Sequence, residues 1–293
     1  MKYAWIQEHT QTFPVTVMCR VLEVSASGYY DWRTRKPSAR EVRHELLSDA
    51  VETFHEDSKR IYGYRKVHQD IAHAFEEPCC EETVRIIMKD KGLRAKYTRK
   101  FAVTTDSNHT EPVAENILNR AFDAQNPNVK WVADITYLPT HEGWTYLAAV
   151  MDLCGRRIVG WATSRHINTA LVSEALHNAI RERKPGPGLL HHSDRGVQYA
   201  SRDYQKTLHL FDITCSMSRK GNCWDNACME RFFRSLKSEW TGDTIYQNHQ
   251  EATAAVFQYI ETFYNTKRRH AALDYKTPAQ YQNEIQQNDK QAA

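Results

Sequence analysis

Three short runs of β-forming residues, separated by turns that contain glycine, constrain the fold of this chain more than any other feature. They cover residues 131–138, 144–152 and 157–163, and Gly143 and Gly155 mark the two turns between them. Runs of this length that follow one another so closely are typical of antiparallel strands. We therefore predict a three-stranded antiparallel meander in the middle of the chain.

After this meander, the pattern alternates between helix and strand. Apolar spacing predicts a helix over 170–180, and 202–211 also has a helical pattern. Short β-forming runs lie at 189–194 and 213–217, and further helices are predicted at 225–239, 249–266 and 277–286. A meander followed by alternating helices and strands describes a mixed, five-stranded α/β sheet. This order of elements matches the RNase H-like fold.

The first hundred residues carry a purely helical pattern. Apolar residues recur at helical spacing over 15–24, and the small residues 25–28 interrupt them. Three further helices are predicted between residues 41 and 93, with Gly92 at a natural helix end. Helix, short turn and helix is the outline of a helix-turn-helix unit that binds DNA. A helical oligomerisation domain has the same pattern and stays open as an alternative.

Composition excludes several classes of protein. Hydrophobic residues make up 41% and charged residues 26% of the chain, as is ordinary for a globular protein. No apolar run approaches the roughly 18 residues of a membrane span. The N-terminus is too polar for a signal peptide, so we expect a cytoplasmic, nucleoid-associated protein. Seven cysteines without regular spacing favour a reducing compartment.

One loose group of residues suggests a zinc site as an alternative. His68, His73, Cys79 and Cys80 lie close together in the sequence. Structural zinc sites usually space their paired cysteines by two to four residues, whereas these two are adjacent. A zinc domain is therefore disfavoured.

The charge distribution favours nucleic acid only weakly. The net charge is +3, and residues 1–105 carry 18 basic against 15 acidic side chains. The densest basic run, 94–100, contains Tyr97 and is followed by Phe101. Cations interleaved with aromatic rings suit contacts with phosphates and bases, although a solvated loop has the same composition.

Three acidic residues in the α/β part are candidates for a metal site. Asp134 lies inside a hydrophobic strand, where an isolated carboxylate is costly without a partner or a metal. Asp194 ends the fourth predicted strand, and Glu230 shares a helix face with Arg234 and Lys237. Carboxylates that converge repel one another unless a divalent cation keeps them ionised, and Mg²⁺ prefers such oxygen ligands.

Residue chemistry alone does not select these three acids. Each has an ordinary interpretation, as a satisfied strand acid, a turn residue or a helical ion-pair partner. Asp152 illustrates the difficulty, because it also follows an apolar strand. We interpret it as a turn acid near Arg156 and Arg157.

Five ordered blocks of sequence nevertheless resemble the DDE transposases of the insertion-sequence-3 family and, more distantly, retroviral integrases. The resemblance covers residues 15–282. Its blocks are 126–137, 152–161, 192–201, 218–237 and 264–278. Between Asp194 and Glu230 lie 35 residues, and 59 lie between Asp134 and Asp194. The first of these separations is characteristic of the family, and Lys237 occupies the position of a basic family residue.

The resemblance implies an activity. Asp134, Asp194 and Glu230 are then the catalytic residues and hold two Mg²⁺ ions per active site, with Mn²⁺ as a substitute. Such enzymes nick one DNA strand by hydrolysis and use the freed 3′-hydroxyl for direct strand transfer. The expected DNA-binding residues are Arg65, Lys66, Lys96, Arg99, Lys100, Arg219, Lys220, Arg234 and Lys237.

The resemblance also implies partners and a domain order. Terminal inverted repeats and target DNA are the expected partners, with a homo-oligomer on DNA and an upstream-frame (OrfA-type) protein or fusion. We expect a helical segment (1–37), a helix-turn-helix-like domain (38–101), a linker (102–124), an integrase-like catalytic core (125–285) and a tail (286–293). A DNA-binding protein without catalysis and a hydrolase of RNA–DNA hybrids are the alternatives from other classes.

Overall fold

A five-stranded mixed sheet forms the centre of the fold in the computed structural model, which describes residues 1–96, 113–220 and 222–292. Its spatial order is β3-β2-β1-β4-β5. The strands are β1 (Lys130–Thr140), β2 (Gly143–Asp152), β3 (Arg157–Ser164), β4 (Leu190–Ser193) and β5 (Thr214–Met217). With the helical N-terminal region described below, this sheet confirms the predicted fold class.

The register between β1 and β4 decides where the functional residues lie. β1, β2 and β3 are antiparallel, whereas β4 pairs with β1 in parallel and β5 with β4 in parallel. Val132 lies opposite His192 in the parallel pair. Two residues further along each of the two strands' directions, Asp134 in β1 and Asp194 directly after β4 therefore occupy neighbouring positions.

Helices cover both faces of the sheet. α7 (Thr169–Arg183), α8 (Val197–Ala200) and α9 (Arg202–Leu210) enclose one apolar layer, which includes Trp131 and Ala133. The other face, with Val132 and Leu147, packs against the C-terminal helices. On this face lie α10 (Ala227–Ser235) and α11 (His249–Phe257), and α12 (Pro278–Ala292) follows them in the chain. Strand residues that alternate between the two layers explain why β1 is apolar on both sides.

Two of these C-terminal helices continue as π-helical turns. α10 passes into Leu236–Thr241, and α11 passes into Gln258–Tyr264. α12 extends through the residues that we expected to form a tail. Single π-helical turns inside α-helices are frequent at functional sites.

The N-terminal region is entirely helical, as predicted. α1 (Lys2–Glu8), α2 (Val15–Val21) and α3 (Ala26–Thr34) share a small core of their own. α4 (Ala39–Asp57), α5 (Tyr64–Ala74) and α6 (Glu81–Asp90) form a second unit, whose core is continuous with that of the sheet. α4 begins with a capping box in which Ser38 and Glu41 satisfy each other's backbone N–H groups. None of the described helices is long and apolar enough to cross a membrane.

A short C-terminal segment, residues 264–270, fastens the second helical unit to the sheet; we name it the clasp. The Arg269 guanidinium pairs with Asp70 of α5 at 2.6 Å, and both side chains are largely buried. The Tyr62 hydroxyl donates to the Lys267 carbonyl at 2.9 Å and accepts from the Arg269 backbone N–H at 2.9 Å. These contacts join residues about 200 positions apart in the sequence.

Two interpretations from the sequence need comment. Asp152 is buried, and its ion-pair partner is Arg183 of α7, at 3.7 Å, instead of Arg156 or Arg157. The backbone N–H groups of Asn128 and Cys154 also donate to its carboxylate. The interpretation as a turn acid near Arg157 agrees with the register, in which Asp152 lies opposite Arg157. The ion pair with Arg183 is an additional contact, for which the local sequence gives no signal.

The zinc alternative receives no support from the described residues. His68 forms a hydrogen bond through Nε2 to the Cys79 carbonyl oxygen at 3.0 Å, so the ring bonds to backbone instead of a thiolate. No group of three metal-ligating side chains is assembled there.

Gly160 of β3 gives a first prediction, about stability. A Cβ atom at this position would lie 2.4 Å from the Ala175 carbonyl oxygen and 2.5 Å from the Ala179 amide nitrogen of α7. Because both neighbours are backbone atoms, we expect Gly160→Ala to lower the free energy of unfolding by about 2 kcal/mol. Urea unfolding of the two proteins measures this difference. The same change at Gly186, which has no atom within 4 Å, is the control; equal stability of the two variants would contradict the close packing.

Candidate active site

Asp134 lies in the middle of β1, opposite Ala149 of β2. Its Oδ1 accepts a hydrogen bond from the Ile135 backbone N–H at 2.8 Å, and its side chain is partly buried. The strand thus fixes this carboxylate at one position on the sheet, where it faces a pocket.

Asp194 directly follows β4, in the short loop before α8. Its Oδ1 accepts from the Gly196 backbone N–H at 2.9 Å. A Cβ atom on Gly196 would lie 3.0 Å from that oxygen, so glycine allows the loop to close around the carboxylate. Asp134 and Asp194 line the same pocket, which has a volume of about 400 Å³.

Glu230 lies on the exposed side of α10, one turn after the helix begins. Asn226, immediately before the helix, is buried and donates through Nδ2 to the Ala133 carbonyl oxygen at 3.1 Å. Because Ala133 precedes Asp134, this bond places the start of α10 beside the strand aspartate. Sequence reasoning missed Asn226, since an asparagine before a helix is usually interpreted as a cap.

The electrostatics of the three acids indicate that they act on one another. Burial, and then the negative charges of Asp194 and Glu230, raise the pKa of Asp134 well above its ordinary value. Burial also raises the pKa of Glu230, while Arg234 opposes that rise. Without a cation, the site therefore disfavours the charged forms that a divalent ion would stabilise.

Lys237 lies in the π-helical turn that directly follows α10, and it acts on the same site. Its ammonium is 4.6 Å from the centre of the Tyr137 ring. Burial lowers the pKa of Lys237 to about 8, and the nearby Asp134 carboxylate partly compensates. A cation thus lies next to the strand that carries the first aspartate.

Interactions with the clasp hold the π-helical turn that carries Lys237. The Arg268 guanidinium donates to both oxygens of Glu239, at 2.7 and 2.5 Å. The Tyr259 hydroxyl also donates to Glu239 at 3.0 Å. Both charged side chains are mostly buried, so the pair restricts the helix more than a surface ion pair does.

Asp225 is a second residue that sequence reasoning did not single out. Its side chain is completely buried beneath the loop that leads into α10. The carboxylate accepts from Arg219, through the backbone N–H and the guanidinium, and from Arg120 and Asn116. These donors hold the pKa of Asp225 well below its ordinary value, Arg219 having the largest effect. Asp225 therefore joins the Glu230 loop to the segment before β1.

The basic residues expected to contact DNA fall into two groups. Arg234 and Lys220 are exposed, and Lys96 is exposed with a long contact to the Glu239 carbonyl oxygen at 3.4 Å. Arg65 is exposed and Arg219 is half-exposed, and they pair with Glu81 and Asp225, respectively. Arg99 and Lys100 lie outside the described residues.

Lys66 has a different environment from the other expected DNA-binding residues. Its ammonium lies 4.9 Å from the centre of the Tyr62 ring, and burial lowers its pKa to about 8. These surroundings belong to the contact between α5 and the clasp. The residue therefore has a structural environment in addition to its predicted contact with DNA.

The carboxylate ligands that the acidic site offers suit a hard divalent cation. All three side chains offer carboxylate oxygens, the ligand type that Mg²⁺ prefers, and burial together with the negative charges of Asp194 and Glu230 raises the pKa of Asp134. Among the described residues, however, no three such side chains already form a compact metal-binding group. The two aspartates share the pocket, and Glu230 approaches them from α10.

Comparison with known proteins gives family matches over most of the chain. Residues 124–223 and 211–278 match two family models that are both described as "Integrase core domain". Residues 41–101 match a model described as "HTH-like domain". The first two matches together contain all three candidate acids.

Curated relatives match over almost their entire length. The transposase InsF for insertion sequence IS3A of Escherichia coli K12 is 41% identical over 286 residues, which is 97% of this chain and 99% of that protein. The uncharacterized 31 kDa protein of insertion element IS600 of Shigella sonnei is 41% identical over 270 residues, or 92% and 99% of the two chains. Among solved structures, the catalytic core of HTLV-2 integrase in complex with magnesium gives a TM-score of 0.41 at 17% identity, covering 53% of this chain and 97% of that one.

Proposed function

Because this chain belongs to the family of the IS3 transposases, we propose that it cuts and joins DNA at an active site formed by Asp134, Asp194 and Glu230. The observation that supports this site best is the register of β1 and β4, which leads two aspartates into one pocket. The effect of Asp194 and Glu230 on the pKa of Asp134 supports the convergence of the three acids.

The three acids would hold two Mg²⁺ ions, or Mn²⁺ in their place. Such ions, when bound, activate a water or a 3′-hydroxyl and stabilise the leaving oxygen. The protein fixes the carboxylates through the Ile135 and Gly196 backbone N–H groups. Nicking and joining then proceed by direct transfer, without a covalent bond between protein and DNA.

The remaining parts of the chain bind the substrate in this proposal. The helical unit of α4 to α6 contacts the terminal inverted repeats, and Lys237 and Arg234 hold the phosphate backbone near the acids. Two or more copies act together on the DNA of the bacterial nucleoid. An upstream-frame (OrfA-type) protein supplies further DNA binding and assembly.

A strand-transfer assay tests the proposed function. The full chain is incubated with DNA that carries the element's ends, with Mg²⁺, with Mn²⁺ or with neither, and with or without the upstream-frame product. We expect metal-dependent nicking followed by joining. Binding to the ends without any product under all of these conditions would instead indicate a DNA-binding protein without catalysis.

Lys237→Gln gives a second prediction, about DNA affinity. If the variant makes one phosphate contact fewer, its binding releases one counterion fewer. The slope of log affinity against log salt should then become less steep by about 0.9, and binding at low salt should be roughly ten-fold weaker. Fluorescence anisotropy over a series of salt concentrations measures both values. Lys206→Gln, a change at an exposed lysine of α9, is the control. An unchanged salt slope would contradict the phosphate contact of Lys237.

A further inference from the structure

The pocket that contains the two aspartates has an aromatic wall that the acidic chemistry does not use. Trp144, Tyr137 and Tyr146 line it together with Ile167, while Asp134 and Asp194 lie at its other side. Its volume of about 400 Å³ is within the range of sites for small ligands, roughly 300–1,000 Å³. One cavity therefore joins an apolar surface to the acids.

Trp144 is the most exposed member of this wall. It occupies the start of β2, directly after the turn at Gly143, and half of its surface is accessible. The Tyr137 ring packs against it edge-on, with 4.7 Å between ring centres and an angle of 82°. This contact orients the indole and leaves much of it open to the pocket. Exposed aromatic side chains are the surfaces on which proteins that bind single-stranded nucleic acid stack the bases.

The charges around the wall select the kind of ligand. The aromatic residues bear no charge, so the surface itself suits a flat, neutral ring. Lys237 lies against the Tyr137 ring at 4.6 Å and supplies a positive charge beside it. An aromatic surface next to a cation suits a nucleotide, whose base stacks while its phosphate meets the charge.

We propose that Trp144, with Tyr137, Tyr146 and Ile167, stacks one unpaired base of the DNA strand whose reacting phosphate lies at Asp134 and Asp194. This inference rests on the proposed function, because the acids must hold DNA for the base to reach the wall. The base belongs to a nucleotide next to the reacting phosphate, since both surfaces line the same pocket. Its duplex must open locally there, and stacking on Trp144 replaces the stacking that is lost.

Substitution of both the protein and the base tests this contact. The full chain is combined with DNA that carries the element's end, and single-turnover joining is measured for wild type, Trp144→Ala and Trp144→Phe. We expect about ten-fold slower joining for Trp144→Ala and near-normal joining for Trp144→Phe, because phenylalanine still stacks. Phe257→Ala removes an aromatic side chain of similar exposure on α11, outside the pocket, and should behave as wild type.

DNA with an abasic nucleotide on either side of the reacting phosphate completes the comparison. At the stacked position the abasic change should slow wild type and leave Trp144→Ala unaffected, so that the two proteins become equal. A penalty for Trp144→Ala that persists with both abasic substrates would overturn the base contact. Thermal unfolding of each variant separates this effect from misfolding.

Fluorescence distinguishes failure of this inference from failure of the proposed function. With Ca²⁺ in place of Mg²⁺, 2-aminopurine at the stacked position should be quenched by wild type and Trp144→Phe but not by Trp144→Ala. If wild type made no product with Mg²⁺, the proposed function would fail, while this comparison would still decide whether a base contacts Trp144. Joining by wild type together with equal fluorescence for all three proteins would reject the base contact alone.

Discussion

Replacing Asp134 with asparagine should abolish DNA nicking and joining and, at the same time, stabilise the metal-free protein. The loss of activity follows because an amide is a poor ligand for Mg²⁺. Metal-ion catalysis contributes several kcal/mol of transition-state stabilisation, so we expect a loss on the order of a thousand-fold. The gain in stability follows from the electrostatics of the same site.

The sign of the stability change follows from the raised pKa of Asp134. The unfolded chain releases this proton at about pH 4, whereas the folded protein retains it to higher pH. The contribution of Asp134 to the stability of the metal-free wild type therefore falls as the pH rises above about 4 and stops falling once the folded-state pKa has been passed. The amide introduced by Asp134→Asn stays neutral at every pH, so the variant lacks this loss.

Thermal unfolding in EDTA and in Mg²⁺ measures both effects. We expect a higher midpoint for Asp134→Asn in EDTA at neutral pH, and a rise of the midpoint on addition of Mg²⁺ for wild type alone. Asp203→Asn, at an exposed acid of α9, should match wild type in activity and stability. Strand transfer by Asp134→Asn at the wild-type rate would remove Asp134 from the active site.

Asp225→Asn should lower both the stability of the protein and its activity. The substitution replaces one carboxylate oxygen with an NH2 group, which is itself a donor and faces the donors of Arg219, Arg120 and Asn116. Breaking this buried interaction should cost on the order of 3 kcal/mol, because the amide can accept from only part of the group. The loop into α10 then loses its attachment to the segment before β1. We expect Glu230 to bind metal less well, with roughly ten- to hundred-fold lower activity.

The acid dependence of stability gives this prediction a specific signature. The folded-state pKa of Asp225 is depressed, so its contribution is complete above the ordinary pKa of about 4 and is lost as the pH falls below that value. The difference in stability between wild type and Asp225→Asn should therefore be largest near neutral pH and decrease in acid.

Urea unfolding over about pH 3 to pH 7, a range that spans the ordinary pKa of an aspartate, measures the difference. Strand transfer as a function of Mg²⁺ concentration separates metal binding from folding, since a poorly held Glu230 should require more metal. Arg219→Met removes two hydrogen bonds to this carboxylate and Arg120→Met removes one. Their effects should not add to that of Asp225→Asn because all three share one carboxylate. A pH-independent difference would show that the charge of Asp225 is not responsible.

The strands and their succession along the chain were predictable from sequence because each depends on local information. Alternating β-forming residues and the turns at Gly143 and Gly155 define the meander, and a parallel β4 requires a crossover such as α7. Asp134 and Asp194 then become neighbours through the register of two strands. Their selection among many acids came from the resemblance, since a lone strand acid has several structural explanations.

The supports of the site were not predictable, for a physical reason. Asn226 contacts Ala133, and Asp225 contacts Arg120 and Asn116, across about 90 to 110 positions of sequence. Neither contact leaves a periodic pattern, because each involves a single side chain. Lys66 illustrates the same limit, since its sequence context suggests a phosphate contact while the folded chain surrounds it with Tyr62 and the clasp.

The clasp has a consequence for engineering proteins of this kind. The clasp contacts α5 through the ion pair of Arg269 with Asp70, and it stabilises the π-helical turn of Lys237 through the ion pair of Arg268 with Glu239. Exchange of the helical unit between two relatives therefore cannot be made at the N-terminal junction alone. A functional chimera must take residues 264–270 from the same relative as the exchanged helical unit. Otherwise that unit and the active site lose the segment that connects them.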